Sequence, residues 1–190
     1  MRPLEDHSET TIDSVTLVTG NKGKVAEARR YLDIPIEHVD LDLPEIQSLD
    51  SREIVEEKAR RAFRELGRPV LVEDVSLIFH ALGSLPGPFI KWFEKELGHE
   101  GLCRLLDGRD RSCTASVTYG YCDDRQVAFA EGEMRGMVAD HPRGGNSFSW
   151  GSIFIPTGSN RTYAELSHEE QERIAMRKKA LRHLRATFQR

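Results

Sequence analysis

Thr19-Gly20-Asn21-Lys22-Gly23-Lys24 carries the residue types of an anion-binding turn. Gly and Asn tolerate backbone angles that other residues resist, so the chain can turn sharply there. A helix opening just after such a turn aims N–H groups and its positive dipole end at one point, and a lysine adds a full charge. Phosphate is the ligand that combination suits. The Gly-x4-Gly-Lys-Ser/Thr spacing of a Walker loop is missing, and a plain strand-to-helix connection with two solvated lysines reads alike. Glu73-Asp74 follows the apolar run 70–72, so the pair is expected at a strand end. Ligands of open α/β sheets bind outside the carboxyl ends of strands, and acids beside a phosphate turn suggest Mg2+ bridging carboxylates and substrate phosphates. Adjacent strand residues point to opposite faces, so at most one of the two acids should face the cleft directly. A pair that merely caps the next turn is the less favoured reading.

Three further groups join these. Glu45 follows Pro44, whose fixed φ can hold a neighbouring acid in place, although a solvated loop acid is commoner. Lys58 sits beside the apolar stripe of its helix, placed either to snorkel into solvent or to reach a phosphate. Phe148 and Trp150 lie two apart and could share a face on which a base stacks; such pairs are more usually core.

The elements that must position these residues follow from pattern. Residues 15–18 are β-branched and apolar, a buried strand, and 25–32 form a helix with Val25, Ala28 and Leu32 on one face. Residues 34–41 make a second strand broken by Pro35, and 43–48 a loop. Asp50 or Ser51 caps a helix over 52–66 whose stripe is Val55, Ala59, Ala62, Phe63 and Leu66. After the break at 83–87, residues 89–97 read as an amphipathic helix carrying Lys91 and Trp92, and 99–106 as a further short helix. Segments 112–121 and 126–136 pair as an antiparallel hairpin turning at Asp123-Asp124, expected as a second lobe over the sheet. Ser167-x-x-Glu170 is a capping box opening one last helix. Its seam is Ile174, Leu181, Leu184 and Phe188, and its face of Arg173, Arg177, Lys178, Lys179, Arg182 and Arg185 is expected to be solvated.

A chain of 190 residues fits one domain, 14–190, after a polar tail over 1–13. A net charge of −4 argues against a protein whose main business is nucleic acid or an acidic membrane. Cys103, Cys113 and Cys122 lack the spacing of zinc ligands and read as reduced core residues. No apolar run is long enough to span a bilayer and no signal peptide precedes the first strand, so a cytoplasmic protein is the expectation.

In this order the pieces resemble the inosine triphosphate pyrophosphatase family, which removes aberrant purine nucleotides. The resemblance runs from Thr16 to Leu184. It is carried by 19–24, Asp42-Leu43-Pro44-Glu45, Val72-Glu73-Asp74, the Leu85 to Phe93 segment Leu-Pro-Gly-Pro-Phe-Ile-Lys-Trp-Phe, Phe148-Ser149-Trp150 with Phe154 and Pro156, and Thr162-Tyr163-Ala164-Glu165. It implies an α/β fold, an elongated mixed β-sheet flanked by helices with an active-site cleft between two lobes, and a homodimer. It also implies Mg2+-dependent hydrolysis of a nucleoside triphosphate to monophosphate and pyrophosphate. Thr19, Gly20, Asn21, Lys22, Lys24 and Lys58 would hold the phosphates, and Glu45 and Asp74 the metal. Asp74, Glu73 and Lys24 would form the catalytic set, with Asp74 or Glu73 orienting or deprotonating water. Phe148 and Trp150 would stack on the base, with Lys91 near the substrate.

The departures from the family pattern fall in the base-reading half. Trp150-Gly151-Ser152 stands where the family usually reads Trp-Asp-Pro, and Ala175-Met176-Arg177 where it reads Ser-His-Arg. Met176 cannot donate a hydrogen bond to a 6-keto oxygen, which leaves Arg177. Gln171 replaces a lysine, and Val75 a hydroxyl residue. A relaxed or shifted base preference is therefore expected. The rival expectation is a nucleotide-binding sensor that kept the fold without turnover.

Overall fold

A computed structural model describes residues 14–145 and 149–188 of the chain. The expected tail over 1–13, Phe148 and the side chain of Phe188 lie outside the described residues. Seven strands form one mixed sheet: β1 (Val15–Val18), β2 (Ile36–Val39), β3 (Val70–Phe79), β4 (Pro86–Gly87), β5 (Ser112–Cys122), β6 (Val127–Val138) and β7 (Phe154–Pro156). Their order is β2-β1-β3-β5-β6-β7, with β4 beside β3. β1 is parallel to β2 over its whole length but meets β3 only at Thr16↔Val70 and Leu17↔Leu71. β3 instead runs antiparallel to β5 from Val70↔Cys122 to Phe79↔Cys113.

That register corrects two expectations. Glu73 and Asp74 are not at a strand end; continuous pairing with β5 keeps β3 extended for ten residues, and the acids lie in its middle. Nor does the hairpin lie over the sheet, because β5 and β6 are its continuation. The ligand-binding logic survives in altered form: β1 stops at Val18 and β4 pairs with β3 only at Leu77 and Ile78, so the edge of β3 opposite β5 is left open between them, at 73–76.

Helices α1 (Lys22–Leu32), α2 (Ser51–Leu66), α3 (Ile90–Arg104), α4 (His168–Ile174) and α5 (Met176–Phe188) flank this sheet. Strand alternation divides the core. Leu71, Leu17, Val25, Ala28, Leu32, Ala180, Leu181 and Leu184 pack in one cluster, while Val70, Val72, Val55, Ala59 and Ala62 pack in the other. α1 and α5 thus cover one face and α2 the opposite one. α1 begins three residues earlier than its apolar pattern indicates, because the Asn21 side chain accepts the Gly23 N–H and caps it. Asp50 caps α2 in the same way. Gly98, at φ 61° and ψ 175°, breaks α3 into the two helical pieces expected around 97–99. The capping box at Ser167 and Glu170 forms, but it opens α4 alone; Ala175 leaves helical geometry at ψ 120° and α5 starts anew. Among the described residues no helix is long and apolar enough to cross a membrane.

Candidate active site

The gap beyond β1 opens into a cleft of about 810 Å³. Thr19, Gly20 and Lys24 enter it from the β1–α1 turn, and Asp40, Asp42 and Glu45 from the loop between β2 and α2. Lys58 comes from α2, Glu73 and Asp74 from β3, Lys91 and Glu94 from α3, and Ser149 and Trp150 from the segment before β7. Elements from the whole chain converge on one concavity, the usual setting of a binding site.

The two adjacent acids have opposite electrostatic fates because they leave opposite faces of β3. Glu73 points to the α1/α5 side and is 5% exposed. Lys24 Nζ lies 2.6 Å from its Oε1, and Arg177 donates from Nη2 to Oε1 (3.1 Å) and from Nε to Oε2 (3.2 Å). Burial alone would raise the Glu73 pKa; Arg177 and Lys24 outweigh it and hold it at about 2, below the ordinary 4.5. Asp74 faces α2, where Ser51 Oγ donates to its Oδ2 at 2.8 Å. Burial pushes the Asp74 pKa up to about 6, against the Ser51 hydrogen bond and the Lys58 charge, with Glu45 adding to the rise. One acid is a locked anion and its neighbour changes charge near neutrality. Groups tuned apart in this way suit acid–base work.

Lys58 is the second cation. Its ammonium pairs with Glu45 and donates to the Glu73 carbonyl oxygen at 3.4 Å, and its charge is felt by Asp74. It is not a lysine snorkelling into solvent, for its side chain is only 17% exposed. Glu45 and Asp74 sense one another electrostatically and offer hard oxygen donors. Among the described residues no group of three or more His, Cys, Asp or Glu is placed to hold a metal by itself. Mg2+ does not require one, since it keeps several waters and binds through one or two carboxylates plus substrate phosphate oxygens. The donor set therefore fits that ion.

Not every sequence candidate enters the cleft. Asn21 is consumed as the α1 cap, Lys22 is exposed and Gly151 is buried; none lines the concavity. Gln171 donates its amide to the carbonyls of Tyr163 (2.7 Å) and Leu166 (3.3 Å), pinning a loop. Met176 and Arg177 line a separate cavity of about 30 Å³ behind Trp150. Arg177 corrects the expected solvated face, because its guanidinium is buried against Glu73 and Glu27. Trp150 is 4% exposed, edge-on to Phe154 with centroids 5.3 Å apart, so it is both core and cleft wall.

Sequence reasoning gave no role to Asp40, Asp42, Ser51, Glu94 or Ser149. Ser51 had a signal, as a cap candidate, but not for the acid it serves. Asp40 lies close against the turn: a Cβ on Gly20 would come 3.0 Å from Asp40 Oδ1. Glu94 is one acid among several on a charged helix, and nothing local distinguishes it.

Known proteins resemble this chain over nearly its whole length. The model of the Ham1 family matches residues 15–187. The chain is 46% identical over 179 residues to inosine triphosphate pyrophosphatase 2 of Trypanosoma cruzi, covering 92% of this chain and 91% of that protein. It is 43% identical over 173 residues to a dITP/XTP pyrophosphatase of Methanopyrus kandleri, covering 88% and 92%. The structure of a HAM1 protein from Coxiella burnetii superposes with a TM-score of 0.80 at 27% identity, over 93% of this chain and 98% of that one.

Proposed function

This chain belongs to the Ham1 family, and from that premise we propose that it hydrolyses purine nucleoside triphosphates, non-standard ones included, to monophosphate and pyrophosphate. The observation that carries the reading is the convergence of Lys24, Lys58, Glu45 and Asp74 on one cleft beyond the end of β1. The names of the relatives point the same way, to inosine, deoxyinosine and xanthosine triphosphates.

In this reading the phosphates lie over Gly20 and the α1 N-terminus, with Lys24 and Lys58 neutralising their charge. Mg2+, held by Glu45 and Asp74 together with substrate oxygens, would supply charge neutralisation on the phosphates. Glu45, paired with Lys58 in this structure, would be one holder of the ion, and Lys58 would then be available to the substrate phosphates. Glu73, locked as an anion by Lys24 and Arg177, keeps the Lys24 ammonium aimed into the cleft. Asp74 orients the attacking water and takes its proton at Oδ1, while Oδ2 accepts from the Ser51 hydroxyl and keeps a second lone pair that would serve the ion. Water oxygen bonds to phosphorus, the anhydride bond between the α and β phosphoryl groups breaks, and pyrophosphate leaves with the bonding pair. Base preference is relaxed or shifted relative to one confined to inosine and xanthosine, because Gly151, Gln171 and Met176 bring no hydrogen-bond donor into the cleft. A homodimer is part of the proposal, checked by sedimentation.

The test is pyrophosphate release with Mg2+ across inosine, xanthosine and the four standard ribo- and deoxyribonucleoside triphosphates. Release that requires the metal and disappears in Asp74→Asn is the expected result. Tight nucleotide binding with no turnover would overturn the enzyme reading. Strong selectivity for inosine triphosphate over both ATP and GTP would overturn the shifted preference.

A further inference from the structure

We infer that Glu94 is the residue that selects the base, its carboxylate accepting a hydrogen bond from the N1–H edge of a 6-keto purine. The inference rests on the nucleotide-hydrolase reading above and names the recognition group within that cleft. The cations assigned to phosphate, Lys24 and Lys58, stand near Glu45, Glu73 and Asp74 on one side. Glu94 stands apart on the first half of α3, one turn after Lys91, and both line the cleft. Ser149 Oγ lies 2.9 and 2.7 Å from its two oxygens, which ties Glu94 to the residue beside Trp150. Lys24, Lys58, Glu94 and Trp150 line one cleft, and in this proposal a nucleotide held at the lysines by its phosphates rests its base against the Glu94 wall.

The carboxylate is built in rather than incidental. Its side chain is 17% exposed, and among the described residues no lysine or arginine forms an ion pair with it. Hydrogen bonds hold it instead. Besides Ser149, His99 Nε2 lies 3.1 Å from Oε1, and His99 Nδ1 is 2.8 Å from Ser152 Oγ. This chain of contacts fastens α3 to both flanks of Trp150-Gly151. Ser149 is also one of two non-glycine residues at positive φ among the described residues, at 49°. Strain of this kind persists where neighbouring contacts enforce it, and it gathers at binding sites.

A carboxylate has room for about four hydrogen bonds and acts only as an acceptor. The hydroxyl of Ser149 and one imidazole N–H leave capacity for a base edge. Hypoxanthine, xanthine and guanine present N1–H as a donor, and guanine adds a 2-amino donor. Adenine presents a lone pair at N1, which faces the carboxylate lone pairs and is rejected. Glu94 therefore admits guanine along with the non-standard bases and excludes adenine.

The experiment compares the parent with Glu94→Gln in steady-state kinetics on inosine, guanosine and adenosine triphosphates. Gln keeps an oxygen for the Ser149 hydroxyl, so the segment stays anchored, but it places an amide donor at the base. The expected result is a fall of about tenfold or more in kcat/KM for the inosine and guanosine compounds relative to ATP, expressed in KM. An unchanged ratio, or an equal loss on all three, overturns the inference, since a carboxylate that only anchors the loop affects every base alike. If the parent turns over none of them, the hydrolase reading fails; calorimetric titration of both proteins with inosine triphosphate and ATP then decides the base-reading role on its own.

Discussion

Asp74→Asn should make the metal-free protein more stable while removing its activity. Asp74 titrates at about 6 in the fold against an ordinary 3.8, with burial the leading cause. A carboxyl raised in the native state holds its proton there longer than in the unfolded chain. Stability therefore falls as pH rises from about 4 to about 6, and the full penalty stands above that window. At 1.36 kcal/mol per pH unit the penalty is about 3 kcal/mol at pH 8, about half that at pH 5 and about a fifth at pH 4. Asparagine has no charge to bury, and its carbonyl oxygen can still accept from Ser51. Allowing for a weaker hydrogen bond to the neutral amide, a net gain of about 2 kcal/mol remains, or about 4–8 °C in Tm for a domain of this size. The assay is thermal unfolding of both proteins at pH 8 and pH 5 in chelator. The gain should shrink by about two-thirds on acidification to pH 5. An Asn variant no more stable than its parent at pH 8, or a gain indifferent to pH, would refute the assignment of a burial-strained Asp74.

Arg177→Met leaves the buried Glu73 carboxylate with Lys24 as its remaining ion-pair partner from the Glu73–Lys24–Arg177 cluster. Removing one member of a buried pair costs about 3–5 kcal/mol, read as a lower urea midpoint, and a loss under 1 kcal/mol would show that Glu73 does not depend on it. Gly132→Ala should unseat α5 from β6, because a Cβ there would stand 2.0 Å from the Met176 carbonyl oxygen and 3.0 Å from the Ala180 nitrogen. Overpacking against backbone costs about 1–3 kcal/mol or more, whereas Gly145→Ala, with nothing within 4 Å, should stay within about 0.5 kcal/mol. Equal melting temperatures for the two alanine variants would contradict the packing described.

Local chemistry was legible in the sequence where neighbours in the chain decide it. The strand at 15–18, the Gly-Asn turn, the Asp50 cap, the Ser167–Glu170 capping box and the hairpin at Asp123-Asp124 all follow from periodicity and side-chain-to-backbone bonding. The acids and lysines that line the cleft were singled out from the sequence too, because the proposed phosphate and Mg2+ chemistry calls for those residue types. Strand length was not: Val75 to Phe79 carries a serine among apolar residues after two acids, and only pairing with β5 shows that β3 continues. The break at Ala175 was equally hidden, because the apolar seam continues through it while the backbone does not.

The sequence by itself determined which groups this protein has for its chemistry; the tertiary structure decided their charge states and partners. Glu73 and Asp74 are neighbours of the same chemical type, and no local rule tells them apart. Packing sends one towards Arg177, 104 residues away, and Lys24, and the other towards Ser51. Glu94 is a surface-like helix acid until Ser149, 55 residues on, folds back onto it. Electrostatic energy depends on distance through space and on water exclusion, and both are fixed only when the sheet and its helices close around the cleft.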